Sequence, residues 1–174
     1  MDAMNPLKLL RTLVQVLQGG VDPAHAAAGF ALGAAWGLLP KGNLLSVLFW
    51  LVFFAFRVDK GMALVAAALF TPVGLLLDAP AHALGWSLLN LGALKPLWTW
   101  CYGAPVLPWT RFNNTVVLGQ LVIGAFLLTP LYLGSRRGVL FYRERWRDRV
   151  AAWPLMRALN GLRAVALWKQ WSRP

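Results

Sequence analysis

The sequence predicts an all-α integral membrane protein of about four short or kinked membrane helices, with amphipathic interfacial helices at both ends. Three observations carry this. Of 174 residues, 59% are hydrophobic and only 13% charged, a balance foreign to soluble domains. Five windows, 23–40, 42–56, 61–77, 79–94 and 112–135, contain no Asp, Glu, Lys or Arg. The formal charge of +11 is gathered at particular points along the chain rather than spread evenly.

Residues 1–20 form the first unit. Leu7, Leu10, Val14 and Leu17 recur at helical spacing beside Lys8 and Arg11, and Gly19 and Gly20 end the run, as in a helix lying in the membrane interface. The membrane domain, 21–135, opens at Asp22 and Pro23, an N-cap followed by a first-turn proline. That helix runs to Pro40, Lys41 and Gly42, and a second, from Asn43, ends at Arg57. Both fall short of a hydrocarbon core of about 30 Å. They therefore either cross as thin spans or form a re-entrant hairpin. Asp59 to Gly61 make the next turn, and the third helix is expected to break at Thr71, Pro72 and Gly74, because proline removes an amide donor. From Asp78 a further helix dissolves into a Gly-, Pro- and Trp-rich stretch whose Trp98, Trp100, Tyr102 and Trp109 suit a membrane interface. Residues 113–135 are the one window long enough to span alone.

Residues 136–174 form a basic tail of two amphipathic helices separated at Pro154. It holds ten Lys or Arg, among them Arg143, Arg145, Arg147 and Arg149, placed to meet anionic headgroups. With four crossings, fourteen Lys and Arg fall on the side of both termini, and only Lys41, Lys95 and Arg111 on the other. The positive-inside rule then places both ends in the cytoplasm.

Gly29, Gly33 and Gly37 repeat at intervals of four, a small-residue stripe for close contact with a neighbouring helix. Lys41, Gly42 and Asn43 at the first turn, and Arg111, Asn113 and Asn114 before the last span, are candidates for a lipid headgroup or a partner; ordinary capping and snorkelling is the competing reading. Asp78 and His82 read as a helix start and its neighbour. The lone Cys101 excludes an internal disulfide. Six carboxylates, two histidines and one cysteine form no HExxH, nucleophile elbow or phosphate loop, so the expectation is a non-enzyme needing no metal or cofactor. Nucleic-acid binding by the tail ranks below membrane contact, because tryptophans interleave its arginines.

Pro23, Gly29 and Gly33, then Gly37 with Pro40, Arg57 to Asp59, and Thr71 with Pro72 follow the pattern of a bacterial membrane family. Over roughly a third of its length the chain resembles the domain of unknown function 2062, with Asp59 where that family usually has Asn. The resemblance implies a helical protein of the bacterial inner membrane, accompanying long periplasmic proteins that bridge lipid between membranes. The functional expectation is a non-enzymatic scaffold or anchor in the phospholipid bilayer, bound to a larger envelope protein and serving phospholipid transport. A stand-alone flippase or small-molecule transporter is the alternative.

Overall fold

A computed structural model describes residues 21–145. The expected helix at 5–18 and the tail beyond residue 145, with Arg147 and Arg149, lie outside the described residues. Within them the chain is helical, with no strand.

Helix α1 spans Pro23–Leu38. Asp22 caps it by accepting from the Ala24 amide at 3.1 Å, and Pro23 sits where its missing amide is no loss. Helix α2, Leu44–Ala55, starts on Asn43, whose side chain accepts from the Ser46 amide at 2.9 Å. Helix α3, Lys60–Leu76, starts on Asp59, which accepts from the Met62 amide at 2.7 Å. Helices α4 (Asp78–Asn90) and α5 (Lys95–Gly103) follow, and α6 runs from Thr115 to Arg145.

The glycine stripe fixes how these helices lie. A Cβ built on Gly29 would stand 2.2 Å from the Asp59 carbonyl oxygen, and one on Gly33 2.1 Å from that of Ala63; Gly37 faces Ala67 in the same way. Both residue numbers rise together, so α1 and α3 are parallel and their backbones touch. The tight partner of the stripe is thus α3, not the adjacent α2. Helix α2 runs back from the end of α1 to the start of α3, and the Asp59 amide donates to the His25 carbonyl at 3.1 Å, tying the start of α3 to the start of α1.

Helix α6 packs antiparallel to α1: Gly124 lies against Ala35, Val139 shares a buried cluster with Ala26 and Met62, and Arg143 donates to the Val21 carbonyl. It is also antiparallel to α4, where Gly85 meets the Thr115 backbone and Gly119 that of Ala81. Lys41 and Arg111 thereby share one end of the bundle, while Val21, Asp59 and Arg143 mark the other.

Several expectations need correction. Helix α3 does not break at Thr71, Pro72 and Gly74. Pro72 lies inside it, the Thr71 hydroxyl donates to the Ala67 carbonyl at 2.7 Å, and Gly74 packs on the Leu38 backbone. The turn comes at Leu77, where α3 and α4 bend by 73°. Nor does a separate tail helix start after Arg136 and Arg137: α6 continues unbroken through both to Arg145, arginine being a good helix former. The stretch expected to dissolve contains α5, with Pro96 in its first turn and the Trp98 indole donating to the Leu88 carbonyl at 3.0 Å. Of the four expected spans, only α6 is long and apolar enough to cross a membrane alone; α3 and α4 pass that test only jointly, across their bend.

Candidate functional site

At the end of the bundle where α1 turns into α2, a cavity of about 850 Å³ opens between that turn and residues 108–111. Its lining includes Lys41, Gly42, Asn43 and Arg111, four of the six residues expected to meet a headgroup or partner. The other two point elsewhere. Asn114 caps α6, accepting from the Val116 and Val117 amides at 2.9 and 3.1 Å, and Asn113 reaches the Tyr102 hydroxyl at 3.4 Å.

Three tryptophans that the sequence reading did not place together build the walls. Trp36 lies near the end of α1, Trp50 two turns into α2, and Trp109 in the turn before Arg111. Trp36 and Trp50 pack edge to face at 5.4 Å, with Phe53 completing the cluster. Such aromatic contacts contribute about 0.5–1.5 kcal/mol each beyond buried area. A helical hairpin brings together residues flanking its turn, so Trp36 and Trp50 were a legible pair once that turn was accepted. Trp109 was not, because its approach depends on how the 104–114 segment folds back.

The two cations differ in what they can still do. The Lys41 ammonium donates to the carbonyls of Trp36, Gly37 (3.2 Å) and Leu39 (2.8 Å) and lies 4.5 Å from the centre of the Trp36 ring. All three of its protons are committed to closing the C-terminus of α1, where a cation is favoured by the helix dipole. Burial pushes this ammonium down to about 8 from the ordinary lysine value. Competitive labelling with an amine reagent across pH should therefore give Lys41 a midpoint near 8; a midpoint at the ordinary lysine value would mean that its charge is fully solvated.

Arg111 stands on a left-handed backbone, with φ of 57°, held by its own amide to the Pro108 carbonyl and by the Asn114 amide to its carbonyl. That conformation costs a non-glycine residue about 1–2 kcal/mol. Arg111 is exposed, and among the described residues no carboxylate lines the cavity and Arg111 makes no ion pair.

A second polar constellation lies at the bend between α3 and α4, and Gln120 was not foreseen as its centre. Gln120, 1% exposed, donates to the Gly74 carbonyl and to Asp78 Oδ1, both at 2.8 Å. His82 Nδ1 lies 2.6 Å from the Thr115 hydroxyl. Asp78 and His82 therefore do more than start a helix: both fasten α4 to α6.

Gly29, Gly33 and Gly37 are filled by backbone and offer no binding surface. Arg143, expected at the membrane surface, is engaged with Val21, while Arg145 is exposed.

Over 137 residues the chain is 34% identical to an uncharacterized protein of Treponema pallidum (strain Nichols), an alignment covering 79% of this chain and 85% of that relative. No protein-family model matches the chain, and no solved structure matches it.

Proposed function

The chain belongs to the family of this Treponema pallidum protein, whose name carries no activity, and from the geometry we propose that it is a non-catalytic membrane-embedded scaffold of the bacterial inner membrane. The observation that carries the reading is α2. Its twelve residues, LLSVLFWLVFFA, contain no charge, and only Ser46 and Phe53 are buried. Val47, Leu48, Trp50, Leu51 and Phe54 face outward, Phe54 at 68% exposure. A contiguous apolar surface of this kind needs lipid or a protein partner.

The same band continues on α6, where Phe126 is 84% exposed within the uncharged run 115–135. At the helical rise that run is about 31 Å long, the thickness of a hydrocarbon core. Beyond it come Arg136, Arg137, Arg143 and Arg145, near the end that also carries Arg57 and Lys60. The opposite end carries Lys41 and Arg111. This division supports a cytoplasmic position for the Arg143 end. Helix α1, with 16 residues, is about 24 Å long, so the bilayer beside it would thin or its ends would reach into the headgroups.

The scaffold reading extends to an envelope partner and a place in phospholipid transport, as the likeness to the domain of unknown function 2062 implies. Transport by the chain alone gains little support at the bend, where the Gly74 carbonyl is taken by the Leu77 amide and by Gln120.

Cell membranes washed with alkaline carbonate should retain the chain, and an impermeant amine reagent applied from the periplasmic side should modify Lys41 but not Lys60. Release by carbonate would overturn embedding. Mild-detergent purification should bring down a stable protein partner, and isolation without one would overturn the scaffold assignment.

A further inference from the structure

The geometry points to a specific ligand for the cavity between the α1–α2 turn and Arg111: we propose that it binds one anionic glycerophospholipid, with the phosphodiester at Arg111 and an acyl chain laid along the exposed face of α2. The inference rests on the membrane reading and deepens it.

Charge selects the headgroup. Among the described residues two cations and no carboxylate line the cavity, so the formal charge they present to it is positive. Their roles divide. Lys41 spends its three protons on the end of α1, so it contributes field but no directed hydrogen bond. Arg111 contributes both, since its planar fork matches two phosphate oxygens at once. Gly42, the N-cap Asn43 and Leu44, the first residue of α2, also line the cavity, and a helix start adds a further positive contribution.

Carbon selects a lipid over a free phosphate. Apart from the two cations, Asn43 and Ser46, the cavity wall is mainly apolar, with Trp36, Trp50 and Trp109 its largest side chains. The cavity also does not end at its rim. Val47 and Trp50 belong both to its lining and to the outward row of α2, which continues through Leu51 and Phe54. A smaller cavity lined by Trp50, Phe53, Phe54 and Lys60 follows along the same face. The twelve residues of α2 extend about 18 Å, a track suited to one acyl chain leaving a phosphate at Arg111. An inorganic ion would use the guanidinium and leave this track empty.

The left-handed backbone at Arg111 supplies a clean test. Asparagine adopts that conformation readily, so Arg111→Asn removes the charge while suiting the fold. The full chain in a non-ionic detergent is titrated with phosphatidylglycerol, phosphatidylcholine or inorganic phosphate, and bound lipid is counted by native mass spectrometry. Phosphatidylglycerol should be retained about tenfold better than phosphatidylcholine. Arg111→Asn should lose about tenfold of that retention with an unchanged thermal midpoint, whereas Arg57→Gln, at the other end of the bundle, should retain it. Equal retention by Arg111→Asn and the parent chain overturns the proposal, as does equal retention of the two lipids. Displacement of the lipid by millimolar inorganic phosphate replaces it with a phosphate-ion site. Carbonate release of a chain that still discriminates these lipids through Arg111 would sink the embedding and leave the headgroup site standing.

Discussion

Gly33→Ala is expected to destabilise the protein by about 2 kcal/mol or more, while Gly124→Ala is expected to be neutral or stabilising by about 0.5–1 kcal/mol. The two substitutions add the same methyl group to a helix. On Gly33 it would stand 2.1 Å from the Ala63 carbonyl oxygen and 2.6 Å from the Ala63 Cα, and backbone cannot rotate out of the way. The parallel α1–α3 pair must separate, and the neighbouring contacts at Gly29, Gly37 and Gly74 loosen with it. On Gly124 the same carbon meets the Ala35 side chain at 3.5 Å, an ordinary contact, so the better helix propensity of alanine is gained without a clash. Thermal unfolding in detergent, followed by circular dichroism, reads the difference. Equal midpoints for the two variants would show that α1 and α3 do not touch as described.

Gln120→Leu should cost about 2 kcal/mol, because it strips a donor from two groups at the bend. The Gly74 carbonyl keeps the Leu77 amide. Asp78 Oδ1 loses its partner from α6, and α4 is then held there by His82 and the glycine contacts at Gly85 and Gly119. Asp78→Ala made in the Gln120→Leu background should cost clearly less than Asp78→Ala made alone, since the shared hydrogen bond is already gone. A coupling of about 1 kcal/mol is expected from the four unfolding midpoints. Strict additivity would mean that the two side chains do not interact.

Local chemistry was the legible part of this fold. Asp22 with Pro23 announces a helix start in sequence and acts as an N-cap in the structure; Asp59, expected in a turn with Lys60 and Gly61, turns out to be the N-cap of α3. The spacing of Gly29, Gly33 and Gly37 announces a close-packed face, but a stripe says nothing about which helix fills it. That information resides in Asp59, Ala63 and Ala67, whose backbone atoms the glycines meet, with the Phe70 Cβ also against Gly37. The bend was misplaced for a related reason. Pro72 is a local signal, and the helix absorbs it; the actual turn at Leu77 is fastened by Gln120 from a helix far along the chain. At the candidate site, the sequence could nominate Lys41 and Arg111 separately as cations beside breaks. It could not show that the Lys41 ammonium is consumed by its own helix while the Arg111 guanidinium, without an ion pair among the described residues, lies in a cavity walled by tryptophan.

The parallel pairing of α1 with α3 also imposes an order on synthesis. When α1 leaves the ribosome, the backbone that its glycines require is about thirty residues away, and α2 must first be laid back along the bundle. At roughly 5–20 residues per second, the glycine face waits seconds for its partner, and the α6 side of α1 waits longer still. Through that interval α1 is a short helix of 16 residues whose glycine groove is unfilled. A chain stalled before Ala67 leaves Gly37 without its backbone partner even though its first two helices are already made.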